Sequence, residues 1–191
     1  MKLLFVLISL LFLSTIFSQK TTEKVYKWEE VQQANPDTIY NLSLSKMKLT
    51  ELPSNLWRFK NLQKLYLDKN KLSALPDSFD FFKNLELLNI DHNHFELFPM
   101  PVTRLLNLKT LIASNNRLTY LPDYISNAKS LQKMDFYNNE ITDFGKGIYE
   151  LEALNYLDIS GTMYGTIFQK QLEDKLQGVK IVMDPPCKCL D

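Results

Sequence analysis

The side chains with the most chemistry to offer lie in two short stretches. "DHNHF", residues 91–95, holds both histidines of the chain, His92 and His94, beside Asp91. Two imidazoles and a carboxylate are acceptable zinc ligands, but a structural zinc site normally closes with four. The tail "PPCKCLD" holds both cysteines, Cys187 and Cys189. Two thiolates again fall short of a closed site. The tail therefore reads as a plain extension, with a local disulfide, a redox contact or a metal as alternatives. A cysteine nucleophile needs a basic partner, and no histidine lies near the tail in sequence. Neither G-x-S-x-G nor H-E-x-x-H occurs, and no glycine loop is built to cradle a phosphate. The expectation is a protein without catalytic residues, cofactor or metal.

What positions the histidines is a repeat. "LYLDKNKLSALPDSF", residues 65–79, returns 23 residues later as "LNIDHNHFELFPMPV" and again as "LIASNNRLTYLPDYI". It is preceded by "LSLSKMKLTELPSNL" and followed by weaker copies from Met134 and Leu157. The units begin at Ile39, Leu62, Leu85, Leu108, Leu131 and Leu154. Inside each, apolar residues alternate with period two, which marks a strand of three or four residues. Stacked in parallel at about 4.8 Å, such strands build a sheet about 30 Å long. Asn70, Asn93, Asn116 and Asn139 recur at the ninth position. An asparagine donates and accepts at once, so a stack of them satisfies turn amides that would otherwise be buried unpaired. Pro53, Pro76, Pro99 and Pro122 recur where the chain turns back, and each holds the backbone extended before it. His92 and His94 then read as solvated turn residues, matched by Lys69 and Lys71 in the coil before.

"LQKLYLDKNKLSALPDSFDFFKN" resembles the 23-residue unit of the leucine-rich repeat family. The resemblance runs over residues 39–167 in about six repeats. It implies an α/β solenoid, curved, with short parallel strands on the concave face and irregular or short helical segments on the convex side. It also implies a module that binds other macromolecules. Met47 and Thr162 replace the ladder asparagine, Ala113 a larger core residue, and Gly145 the proline. Those departures mark the two ends and the fifth coil as the places where packing should differ.

The ends need covers, because a solenoid exposes its core at each terminus. Residues 19–38 read as an N-terminal cap. Val25, Trp28 and Val31 are at helical spacing, so a helix over about 23–34 is expected, laying Trp28 across the first coil and stopping at Asn35 and Pro36. Its place before "NPDTIYNLSLS" resembles the start of small secreted bacterial leucine-rich repeat proteins. Residues 168–191 read as a helix with a Phe168, Leu172 and Leu176 stripe, Gly178 as its C-cap, and "VKIVMD" as a seventh strand. Residues 1–18, "MKLLFVLISLLFLSTIFS", have the charged start, apolar run and small polar end of a secretory signal. An uncleaved anchor is the alternative. A secreted, periplasmic or surface-associated protein follows, with no membrane insertion after cleavage. A formal charge of zero gives nucleic acid no electrostatic hold.

Strand positions facing away from the core form columns. These place Tyr66, Leu87, Ile112, Asp135, Tyr137 and Tyr156 on the concave side as candidate residues for a protein partner. In a eukaryotic host "NLS" at Asn41 is a glycosylation acceptor on the same face, where a glycan would obstruct binding, so it favours a host that does not use it. A further column, Lys48, Lys71, His94 and Arg117, then Glu140, makes a basic turn edge that reads first as a solvated edge, with an acidic glycan, a lipopolysaccharide head group or an acidic protein face as the alternatives. The rival reading is a structural envelope protein with no discrete ligand.

Overall fold

The structure is a computed structural model and describes residues 24–187. The apolar segment 1–18 and Cys189 lie outside the described residues. Ten short strands form: β1 (Tyr26–Lys27), β2 (Asn41–Ser43), β3 (Lys64–Tyr66), β4 (Leu87–Asn89), β5 (Thr110–Ile112), β6 (Tyr120–Leu121), β7 (Lys133–Asp135), β8 (Asp143–Phe144), β9 (Tyr156–Asp158) and β10 (Lys180–Val182). The one α-helix among the described residues, α1, spans Thr166–Lys175. Eight strands make a parallel sheet in the order β1-β2-β3-β4-β5-β7-β9-β10, and β6 pairs with β8 separately. The register joins Leu42, Leu65, Leu88, Leu111, Met134, Leu157 and Ile181 in one row. All of that row except Ile181 is fully buried. Three-residue strands have too few hydrogen bonds to persist alone, so this shared core is what holds them.

The return path of each of the first five coils is a five-residue 3-10 turn. These run Ser54–Arg58, Asp77–Phe81, Met100–Arg104, Asp123–Asn127 and Lys146–Glu150. Proline precedes the first four, with φ between −65° and −77°. That is close to the value its ring imposes. Gly145 takes φ −62° without a ring, so proline is not needed for the shape. What glycine gives there is room. A Cβ on Gly145 would sit 2.5 Å from the Asp123 nitrogen, and one on Gly147 would sit 1.8 Å from the Asp123 carbonyl oxygen. The fourth and fifth coils approach closely enough for the Gly145 amide to donate to the Leu121 carbonyl at 2.6 Å.

The asparagine ladder works backward along the chain. Asn93 Nδ2 donates to its own coil at Ile90 O and to the preceding coil at Leu67 O, both at 3.0 Å. Its Oδ1 accepts the Leu72 amide at 3.0 Å. Asn116 and Asn139 repeat the pattern toward Ile90 and Ala113. The first coil has Met47 in place of asparagine, and Asn70 Oδ1 accepts both Met47 N and Leu49 N. Thr162 Oγ1 reaches only its own coil, at Ile159 O. A second ladder stands on the far side: Asn61, Asn84 and Asn107 donate to Asp37 O, Lys60 O and Lys83 O. Ser130 continues it to Leu106 O. Its signal, three asparagines at a spacing of 23, was present in the sequence and was not part of the expected pattern.

The N-terminal cap corrects the expectation of a helix over 23–34. Tyr26 and Lys27 instead pair in parallel with Leu42 and Ser43, and only Trp28–Val31 winds, as a 3-10 turn. The edge of β2 would otherwise present unpaired backbone groups, and a short isolated helix has little stability to compete with that pairing. Trp28 still covers the first coil, edge-on to Phe59 at 6.1 Å, and Val31 is buried. Asn41 is also corrected. It is fully buried, with Nδ2 donating to Lys24 O at 3.3 Å, so it is no open acceptor for a glycan.

At the other end α1 buries Phe168 and Leu172, and Leu176 follows them into the core. Gly178 turns at φ +87°. The strand after it, β10, is the eighth of the sheet and not the seventh, because β1 adds one at the start. Tyr164 is buried, and its hydroxyl donates to the Asp184 carbonyl. Burial foremost, then the charges of Asp184 and Glu173, push its phenol up to about 12. Cys187 is disulfide-bonded, which corrects the reading of the tail as a plain extension, and its amide donates to Tyr164 O at 2.8 Å.

Candidate functional site

The sheet fixes the columns of its outer face residue by residue. Across the strands Asn41, Lys64, Leu87, Thr110, Lys133, Tyr156 and Lys180 align. So do Ser43, Tyr66, Asn89, Ile112, Asp135, Asp158 and Val182. Tyr66, Leu87 and Ile112 thus lie on adjacent strands β3, β4 and β5, each half-buried. Tyr137, just beyond β7, is 46% exposed. None of the four belongs to the buried core cluster. The hydroxyls of Tyr66 and Tyr137 bond to no other described residue. Tyr156 is different. Its hydroxyl donates to Asp158 at 3.2 Å, and Lys180 lies over its ring at 5.7 Å, so it is held sideways at the C-terminal end.

Carboxylates border this band. Asp135 accepts the Tyr137 amide at 2.9 Å. Burial, joined by the charges of Asp158 and Asp91, raises its pKa above the ordinary carboxylate value against the pull of that hydrogen bond. Asp91 goes the other way. Burial alone would raise it, but hydrogen bonds from Asn115, His92 and Ser114 hold it below the usual range. Asp158 accepts the Ser160 amide and hydroxyl at 2.9 and 2.6 Å.

The histidines do not come together as ligands. His92 Nδ1 meets Asp91 Oδ2 at 2.7 Å, whereas His94 lines a groove on the flank of the coils. Among the described residues no group of three His, Cys, Asp or Glu side chains is placed to hold a metal ion. That groove, about 450 Å³, is floored by Leu75, Phe98 and Pro99 and rimmed by Leu97, Met100 and Asp77. Leu97 is 77% exposed. Sequence reasoning missed it, though Leu97 and Met100 stand where the preceding coil has Ala74 and Asp77.

Comparison with known proteins agrees with this geometry. The model of the leucine rich repeat matches residues 37–95, and a second model of the same repeat matches residues 107–128. The chain carries leucine-rich repeats. Among solved structures, a leucine-rich repeat protein of Leptospira interrogans is 26% identical, with a TM-score of 0.71 over 87% of this chain and 49% of that one. Internalin C2 from Listeria monocytogenes shares the fold at 20% identity and a TM-score of 0.64, over 78% of this chain and 62% of that one. The LRIM1/APL1C complex contains a chain that is 23% identical, with a TM-score of 0.59 over 66% of this chain and 24% of that one. The leucine-rich repeat chain thus spans about half the length of the Leptospira protein and less than two thirds of the others. No curated protein matches it. Among the described residues no helix is long and apolar enough to cross a membrane.

Proposed function

We propose that this leucine-rich repeat protein is an exported binding module whose concave strand face docks a protein partner. The observation that carries the reading is the band Tyr66, Leu87, Ile112 and Tyr137. It is a run of aromatic and aliphatic side chains on neighbouring strands, outside the core cluster. Large side chains without a packing role, bordered by Asp135 and Lys133, have the make-up of interface anchors. Tyr156 closes the band at the C-terminal end. The neighbouring LRIM1/APL1C structure is itself a protein complex, which supports a protein partner in kind. Export rests on the signal-like pattern of residues 1–18 and suits a secreted, periplasmic or surface-associated site of action. Nothing in the band calls for catalysis.

The test is retention of a captured partner on immobilised variants. Truncating a central anchor typically costs an interface about 2 kcal/mol, roughly thirtyfold in affinity. Tyr66→Ala combined with Tyr137→Ala should abolish capture and leave the far-ultraviolet circular dichroism unchanged. A partner retained undiminished by the folded double variant overturns the reading.

A further inference from the structure

A different face carries a cluster of lysines. In the turns that leave the first two coils, Lys46 and Lys48 stack on Lys69 and Lys71, 23 residues on. Parallel coils repeat at about 4.8 Å, so four ammonium groups are fixed on one small patch of the turn edge. All four are exposed. None forms an ion pair among the described residues, whereas Lys60, Lys83 and Lys109 do, with Asp37, Asp80 and Glu86. Asp68, the carboxylate of the same turn, is engaged by the Ser45 hydroxyl at 2.6 Å. The lysines therefore repel one another, and no carboxylate among the described residues is in direct ion-pair contact with them.

Backbone geometry makes the arrangement more unusual. Lys46, Lys48 and Lys69 have φ of 62°, 58° and 57°. A long L side chain adopts that left-handed conformation only at a cost, and asparagine or glycine adopts it readily. The third coil has His92 there, with φ 50°, and the next three use those residues: Asn115, Asn138 and Gly161, with φ of 52°, 54° and 73°. The turn accepts the cheaper residue, and the first two coils carry lysine instead. Lys48 repeats the strain two residues further on, in the coil where Met47 replaces the ladder asparagine.

We propose that this lysine patch binds a linear polyanionic glycan bearing sulfate or carboxylate groups, lying along the coil axis over Lys48 and Lys71 toward His94 and Arg117. Charge complementarity selects the class of ligand. The run ends at Glu140, which sets the direction and extent of the contact. No large apolar side chain is exposed between Lys46 and Lys71, so the lysine end of the track has nothing to insert into a lipid surface; Leu97 is exposed beside Arg117 at its far end. Nor has it the aromatic anchors that centre a protein interface. The site is separate from the concave band and does not depend on it.

The test uses the full chain with dextran sulfate as probe, neutral dextran as control, and phosphatidylcholine vesicles containing phosphatidylglycerol as the lipid arm. Lys46→Gly, Lys48→Gly and Lys69→Gly together should weaken dextran sulfate binding at least about tenfold at low salt. The slope of affinity against salt should fall by about one per lysine removed. The same variant should unfold at an equal or higher urea concentration, because glycine relieves the strained turns. Lys71→Gln, whose backbone is not left-handed, is the second variant and should weaken binding about two- to threefold without touching the turn. Unchanged affinity in both variants overturns the proposal. Vesicle binding without dextran sulfate binding overturns it in favour of a lipid surface.

Discussion

At the scale of single residues, chemistry-bearing types have been turned to architecture. Asn93 sits between two histidines, yet it is the asparagine that matters to the fold: it is buried and satisfies backbone groups of two coils. Asn93→Ala leaves the Leu72 amide and two carbonyls without that partner, which should cost roughly 1–3 kcal/mol. His92→Gly, at φ 50°, should cost little or stabilise, since glycine suits the conformation. Urea unfolding of the two variants checks the pair, and equal costs would show that the ladder is not what secures the turn. The histidines read from sequence as metal ligands or as turn residues. In the fold His92 is hydrogen-bonded to Asp91 and His94 faces a separate groove.

At the scale of elements, what could be read early was whatever repeats locally. Period-two alternation located the strands, and the asparagine and proline positions located the turns, because each acts within one coil or on the next. The cap strand β1 was hidden for a physical reason. Its pairing with β2 is a long-range gain that no residue of 23–34 announces, and it overrides a helical spacing of apolar residues. The groove at Leu97 and Met100 was hidden too, since exposure of an apolar residue is set by the coils beside it. Gly145 was legible as an exception and Gly147 was not; the reason for both is the close approach to Asp123. Gly147→Ala should therefore lower stability by roughly 1–3 kcal/mol or more, because the added methyl meets backbone and cannot rotate away. Gly178→Ala has open space around it and should cost only about 1 kcal/mol, from its left-handed φ. A denaturant melt in which Gly147→Ala is the milder change would contradict this packing.

At the scale of the whole molecule, the sheet ends in two dissimilar covers, and the C-terminal one carries a pH signature. The Tyr164 phenol, raised to about 12 from 10.0, stays protonated in the folded chain after the unfolded chain has begun to ionise. Its contribution is complete below about pH 10 and is lost as pH rises toward 12. Tyr164→Phe should be less stable than wild type at pH 8 by about 1 kcal/mol, from the lost bond to Asp184. The gap should narrow between pH 10 and 12, and a gap that stays constant would refute the assignment. The ladder also gives the molecule a direction in time. Each asparagine completes the turn of the coil before it: Asn70 closes the first, Asn93 the second, Asn139 the fourth. A chain emerging from its N-terminus, whether from a ribosome or a translocation pore, can thus finish no coil until the next has appeared. Assembly would advance one repeat behind synthesis, with a single incomplete turn always at the growing end and α1 with β10 arriving last to close it.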